Sequence, residues 1–188
     1  MKINQQQAKE FLDNISSEDK VAIIHHNDLD GFASGILFTE WCENKGAKTK
    51  NFIANYGEWN PENSLEGFNK IILTDIAPGG LLEINLPLKK EIFYTDHHPG
   101  KEQIPEKILE LRTTNKGYLP SSRTAGELTN IKPWLALAGV ISDSGDLYPE
   151  NKQYLEQTLK ELNLSLEEFK TRISNTPVSY THLTLPTN

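Results

Sequence analysis

Histidines and aspartates fall in two tight groups, His25-His26-Asn27-Asp28-Leu29-Asp30-Gly31 and Asp96-His97-His98. Imidazole and carboxylate together suit manganese, magnesium, iron or zinc, and a carboxylate shared by two such ions holds them about 3.5 to 4 Å apart. A pair of ions at that spacing activates water and clamps a phosphoryl group. Asp75 and Asp143 each close an apolar run and add two more carboxylates. A solitary aspartate at a strand end is more often a turn or cap residue than a ligand. Brought together, however, Asp28, Asp30, Asp75, Asp96 and Asp143 would repel one another, and divalent cations make such a gathering tolerable. His26, Asp28 and Asp30 alternate, so an extended segment would point all three the same way. Asp75 would then bridge from a neighbouring strand, His97 would complete one ion's shell, and Asp143 would arrive from the other side.

These residues need strands to deliver them. Val21-Ala22-Ile23-Ile24 is a fully apolar run ending at the first group, and Lys70 to Asp75 and Glu91 to Asp96 are strand-like runs ending in aspartate. Strands of a parallel sheet present such residues at their carboxyl edge, where open α/β folds build ligand sites. Asn51 to Ala54 and Ile108 to Thr113 supply two further strands, and Pro78, Gly79 and Gly80 break the pattern after the third. Helical spacing marks Gln5 to Asn14, with Ala8, Phe11, Leu12 and Ile15 on one face, and Gly31 to Lys45, which stops at Gly46. Ser122 to Asn130, Trp134 to Ile141, and a helical pair, Asn151 to Leu162 and Leu164 to Ile173, complete the set. The expected fold is α/β: a parallel sheet of about five strands with helices on both faces, followed by a helical linker.

The chain has 188 residues, 37% hydrophobic and 24% charged, enough for one domain with a real core. No apolar run approaches the roughly 18 to 20 residues of a membrane span, and Met1 to Asp13 lacks the basic start and apolar stretch of a signal peptide. A cytoplasmic protein without membrane association is expected. The net charge of −7 argues against a broad basic surface for gripping nucleic acid. Cys42, the lone cysteine, sits in a helical pattern and reads as a buried thiol.

The motifs, in this order and spacing, resemble the DHH phosphoesterase family, whose members include RecJ-type single-strand exonucleases, small-oligonucleotide phosphodiesterases and, more distantly, manganese pyrophosphatases and exopolyphosphatases. The resemblance spans roughly Val21 to Gly145. It comprises His26-Asn27-Asp28-Leu29-Asp30-Gly31 with the small-residue helix start after it, the strand-end Asp75, Asp96-His97-His98, and Gly139-Val140-Ile141-Ser142-Asp143-Ser144. It implies two divalent ions, manganese foremost and magnesium the alternative. His26, Asp28 and Asp75 would hold one; Asp30, Asp75, His97 and Asp143 would hold the other. It further implies catalytic roles for His98, facing the substrate phosphate, and for Asp96, orienting an imidazole. The implied reaction is hydrolysis of phosphodiester bonds by metal-activated water. Single-stranded DNA or RNA, or short oligonucleotides, are the implied substrates, with the acidic balance favouring short ones. The alternatives are cyclic dinucleotides or small phosphoanhydrides, or a low-activity module acting as a partner of replication or repair proteins.

Other residues have plainer expectations. His25 reads as structural, or as a substitute for His26 should the loop register differ by one. Ser144 and Asp146 suit turn contacts. Ser121-Ser122-Arg123-Thr124 suits helix capping, with a phosphate contact from Arg123 or the hydroxyls as the sharper alternative. Lys160, Glu161, Glu167 and Glu168 form a solvated helical face. Trp41, Trp59 and Trp134 suit core packing, although Tyr56 and Trp59 in a polar loop could stack on a base. Family enzymes acting on nucleic acid generally carry a second domain with a glycine-rich, histidine-containing loop, and no Gly-Gly-Gly-His segment occurs in this chain. Residues 1–150 are therefore expected to be the catalytic domain and 151–177 a helical linker toward a substrate-binding domain, so activity in isolation should be weak. Val178 to Asn188 carries no acidic or basic side chain and resembles the translation of a transposon-derived sequencing adapter. We expect this tail, His182 included, to be non-native.

Overall fold

In the computed structural model, residues 1–55, 64–84 and 86–175 are described. Tyr56, Trp59 and the tail 178–188 lie outside them. Five parallel strands, β1 (Lys20–His25), β2 (Lys48–Ile53), β3 (Lys70–Thr74), β4 (Glu91–Asp96) and β5 (Ile108–Arg112), form one sheet in the order β2-β1-β3-β4-β5. The central strands are apolar and buried along almost their whole length, as a sheet covered on both faces requires.

Alternate residues divide between the faces. Val21, Ile23, Ile72, Phe93 and Leu111 pack with α1 (Gln5–Asp13), α2 (Leu29–Asn44), α4 (Ser121–Thr129) and α5 (Pro133–Ser142). Ala22, Ile24, Ile71, Leu73, Ile92 and Tyr94 face the other way, onto Phe52, Leu65, Ile76 and Ile84 and onto Leu81 of α3 (Pro78–Glu83). Each fully buried Ile or Leu in these layers contributes about 1.5 to 3 kcal/mol. Beyond α5, the helices α6 (Lys152–Leu162) and α7 (Leu166–Asn175) turn at Asn163, whose backbone is left-handed, and bring Leu155 and Phe169 against Leu137, Ala138 and Val140. Among the described residues no helix is long and apolar enough to cross a membrane.

Three elements differ from the sequence reading. Helix α2 begins at Leu29 instead of Gly31, because Asp28 caps it and draws the acidic segment into the first turn. His26, Asp28 and Asp30 therefore do not alternate along an extended strand. Strand β2 begins at Lys48; its first residues are polar and largely exposed, so an apolar signal appears only at Phe52. Pro78, Gly79 and Gly80 open α3 instead of a loop, with proline at a position where its missing N–H costs nothing.

The strand registers align one end of the sheet. His25 lies beside Thr74, Thr74 beside Thr95, and Asp96 beside Arg112. His26, Asp75 and His97 consequently leave adjacent strands at the same carboxyl edge.

Candidate metal centre

The local backbone at that edge is shaped by its own polar groups. Asp28 Oδ1 accepts from the Gly31 N–H at 2.8 Å, and its other oxygen, Oδ2, lies 2.8 Å from His26 Nδ1. The turn is tight: a Cβ on Gly31 would lie 2.5 Å from the His26 carbonyl oxygen. Asp75 sits just past β3 with φ at 60°, in the left-handed region that Asp and Asn tolerate better than most side chains. Its carboxylate is fully buried.

Around Asp75 the predicted residues come together. On one side, His26 Nδ1 lies 4.0 Å from Asp75 Oδ2. On the other, His97 Nε2 lies 3.3 Å from Asp75 Oδ1, 3.5 Å from Asp143 Oδ2 and 3.9 Å from Asp30 Oδ2. His26, Asp28 and Asp75 form one set with donor atoms all within 4.8 Å of one another; Asp30, His97 and Asp143 form a second; Asp75, His97 and His98 form a third. The two oxygens of Asp75 thus face different donor sets.

The electrostatics fit a cation. Burial, reinforced by the charge of Asp28, pushes the Asp75 carboxyl up to about 8. Burial and the charge of Asp75 hold Asp30 well above the usual carboxylate range. Asp28 is the exception: burial would raise it, but the Gly31 N–H and His26 outweigh that and hold it low. Among the described residues, Asp75 Oδ2 and His97 Nδ1 are buried with no hydrogen-bond partner. Carboxylates packed against one another, one of them with an unserved oxygen on the His26 side, are what a divalent ion would satisfy.

Asp96 is buried and, among the described residues, belongs to none of the three donor sets. It accepts from His98 Nδ1 at 2.8 Å and from the His98 backbone N–H at 3.0 Å. Although burial would lower the His98 imidazole, Asp96 and Asp75 raise it to about 9. Arg112 supports the same turn, donating to the His98 carbonyl and lying 3.8 Å from Asp96.

His25 bonds the His26 carbonyl through Nδ1 at 2.8 Å and packs on Phe32, a structural position that leaves His26 at the cluster. Arg123 is engaged by Glu127, the Glu150 carbonyl and Asn151, so it takes no part in the cluster. Asp146 pairs with Lys170 at 2.6 Å, and Ser144 makes the left-handed turn after α5. Trp41 and Trp134 pack against the core, Cys42 is buried, and Lys160, Glu161, Glu167 and Glu168 are exposed.

Several contacts at the site carried no sequence signal. The start of α4 donates to Asp30, with the Ser121 N–H 2.7 Å from Oδ2 and the Ser122 N–H 3.0 Å from Oδ1. Ser121 Oγ donates to Asp75 at 3.1 Å. The serines were legible as a helix start, but their acceptor was not. Tyr118 donates its hydroxyl to Asp143 Oδ2 at 2.6 Å and sets its ring edge-on to His97. Burial and the Asp143 charge push that phenol upward, so it stays protonated.

Comparison with known proteins follows the same outline. No curated protein sequence matches the chain. Among solved structures, an exonuclease RecJ bound to manganese superposes with a TM-score of 0.67 at 18% identity, over 84% of this chain and 48% of that one. RecJ in complex with Mn2+ from Thermus thermophilus gives 0.65 at 20%, over 89% and 28%. CDC45 from Entamoeba histolytica gives 0.64 at 14%, over 88% and 39%. The chain spans about half or less of these proteins, and at such identities the likeness establishes the fold. Residues 20–159 match the profile of the DHH family, N-terminal domain. The chain belongs to the DHH family.

Proposed function

We propose that the chain is the catalytic domain of a two-metal phosphodiesterase that hydrolyses single-stranded nucleic acid or short oligonucleotides, using manganese. The observation that carries this reading is that the two oxygens of Asp75 face different donor sets, His26 and Asp28 on one side and His97 with Asp30 and Asp143 on the other. Two divalent ions bound there would supply an activated water and stabilise charge developing on the phosphoryl oxygens. The protein's own part is positioning. Asp28 is fixed by the α2 N-terminus and Asp30 by the α4 N-terminus, so neither carboxylate reorganises when an ion enters. Asp96 fixes the half-buried His98 ring at the margin of the cluster, where its imidazolium donates to a phosphate oxygen. Residues 1–150 form the catalytic domain in this reading, 151–177 a linker toward a substrate-gripping domain, and 178–188 a non-native tail.

The test is hydrolysis with Mn2+ across five substrates: single-stranded DNA, single-stranded RNA, dinucleotides, cyclic dinucleotides and pyrophosphate. Wild type should cleave short single-stranded substrates and Asp75→Asn should not. Turnover confined to cyclic dinucleotides or pyrophosphate would reassign the substrate. Equal rates for the two proteins would remove the mechanism.

A further inference from the structure

Asp143 is a ligand candidate held by a side chain from a distant part of the chain. It lies immediately beyond α5, before the left-handed turn at Ser144 and the 3-10 segment Gly145–Leu147, and it is the most exposed member of the second donor set at 25% of its side chain. Asp30 in the same set is held by two backbone N–H groups. The hydroxyl of Tyr118, 25 residues away in sequence, takes the corresponding role for Asp143.

Tyr118 is itself anchored on several sides. Its backbone N–H donates to the Glu150 carboxylate. Its carbonyl accepts from Asn151 Nδ2 at 2.8 Å, and that same amide donates to the Gly145 carbonyl at 2.8 Å. Asn151 is fully buried and its oxygen accepts from Arg123 at 2.8 Å. One amide therefore ties the Tyr118 turn to the turn that carries Asp143. The ring of Tyr118 stacks on Tyr148, with centroids 4.3 Å apart and planes 20° from parallel, and meets His97 edge-on at 5.1 Å. Tyr118 touches two members of the second donor set and none of the residues His26, Asp28 and Asp75 by these contacts.

We propose that Tyr118 is a positioning residue for one metal position only: its hydroxyl and ring aim Asp143 and His97 at the ion shared with Asp30. This rests on the two-metal reading above. An outer hydrogen bond of this kind fixes a ligand's direction before the ion arrives, and its loss typically costs about 10- to 100-fold in metal affinity. Tyr118→Phe keeps the ring, and with it the stacking on Tyr148 and the edge contact with His97, while deleting the bond to Asp143.

The experiment is calorimetric titration of the full chain with Mn2+, wild type against Tyr118→Phe and Tyr148→Leu, with thermal melts of the metal-free proteins as the folding control. Wild type should take up two ions. Tyr118→Phe should keep the first affinity and weaken the second by about ten-fold or more, and the electron paramagnetic resonance signature of a coupled Mn2+ pair should give way to that of isolated ions at stoichiometric loading. Tyr148→Leu, which leaves the hydroxyl bond in place, should change neither affinity by more than about three-fold, within the context-dependence of such contacts. Two unchanged affinities in Tyr118→Phe overturn the proposal while leaving the two-metal reading intact. Equal weakening of both ions overturns selectivity and makes Tyr118 a general structural residue. A wild type that binds one ion or none overturns the two-metal reading and the proposal with it.

Discussion

The two halves of the cluster are built by different means. His26, Asp28 and their turn come from one stretch of chain: the first hydrogen bonds of α2 shape it, and Asp28 is nearly half exposed, its carboxyl held below the usual range. Asp30, His97 and Asp143 come from three distant elements, and their partners, Ser121, Ser122 and Tyr118, lie far along the chain. Asp30 is completely buried and resists ionisation. The local half is ready for a cation in any folded molecule that closes α2. The assembled half holds charge that the fold alone disfavours, so it gains most when an ion arrives.

Asp75 joins the halves, and replacing it has the largest expected effect. Asp75→Asn should bind Mn2+ poorly at both positions and lower turnover on the order of a thousand-fold, since several kcal/mol of charge stabilisation disappears. Steady-state kinetics with a Mn2+ titration checks both. His98→Ala should separate chemistry from metal binding: both ions retained, turnover reduced by about 100-fold, the scale for losing one preorganised donor.

Stability against pH sharpens the contrast without any substrate. Asp75 at about 8 and His98 at about 9 are both raised above their unfolded values, so the metal-free fold binds more protons than the unfolded chain between those values and pH 6.5. Stability should therefore increase as the pH falls from 9 to 6.5. Below that window Asp75 and Asp30, both raised, still favour the fold, but the gain should be partly offset because burial lowers the His25 imidazole, so the unfolded chain takes up that proton first. Saturating Mn2+ should reverse the slope above pH 6.5, since ions compete with those protons. Thermal melts with and without Mn2+ read this directly; a metal-free protein equally stable across the window would contradict the repulsion assigned to the cluster. Ser121→Ala should have a smaller effect, about 1 kcal/mol at most, felt as a modest loss of affinity at Asp75 and measurable by calorimetry. Cys42 should have the smallest consequence of all: buried, with its thiol pushed up to about 12, it should resist alkylation in the folded protein and react on denaturation.

What could be read from the chain follows the same division. Val21 to Ile24 and Ile71 to Leu73 are unbroken apolar runs, so the central strands and the edge they reach were evident. Polar Lys48 to Lys50 gave no such signal, because β2 lies at the sheet edge with solvent on its flank. The residues later found in the cluster were legible by type and order, yet their geometry was misread where Asp28 was taken as extended strand and proved to be a helix cap. The contacts from Ser121 and Tyr118 depend on packing α4 and the 117–118 turn against residues far away in sequence, and neither propensity nor spacing encodes them.

In the proposed site, Asp75 lies between two cations. A crystal structure of the full chain grown with Mn2+, with anomalous scattering recorded at the manganese edge, tests it most directly. Two peaks about 3.5 to 4 Å apart are expected, one beside His26 and Asp28, the other among Asp30, His97 and Asp143, with Asp75 between them. A single peak, or two peaks that leave Asp75 unligated, would contradict this arrangement.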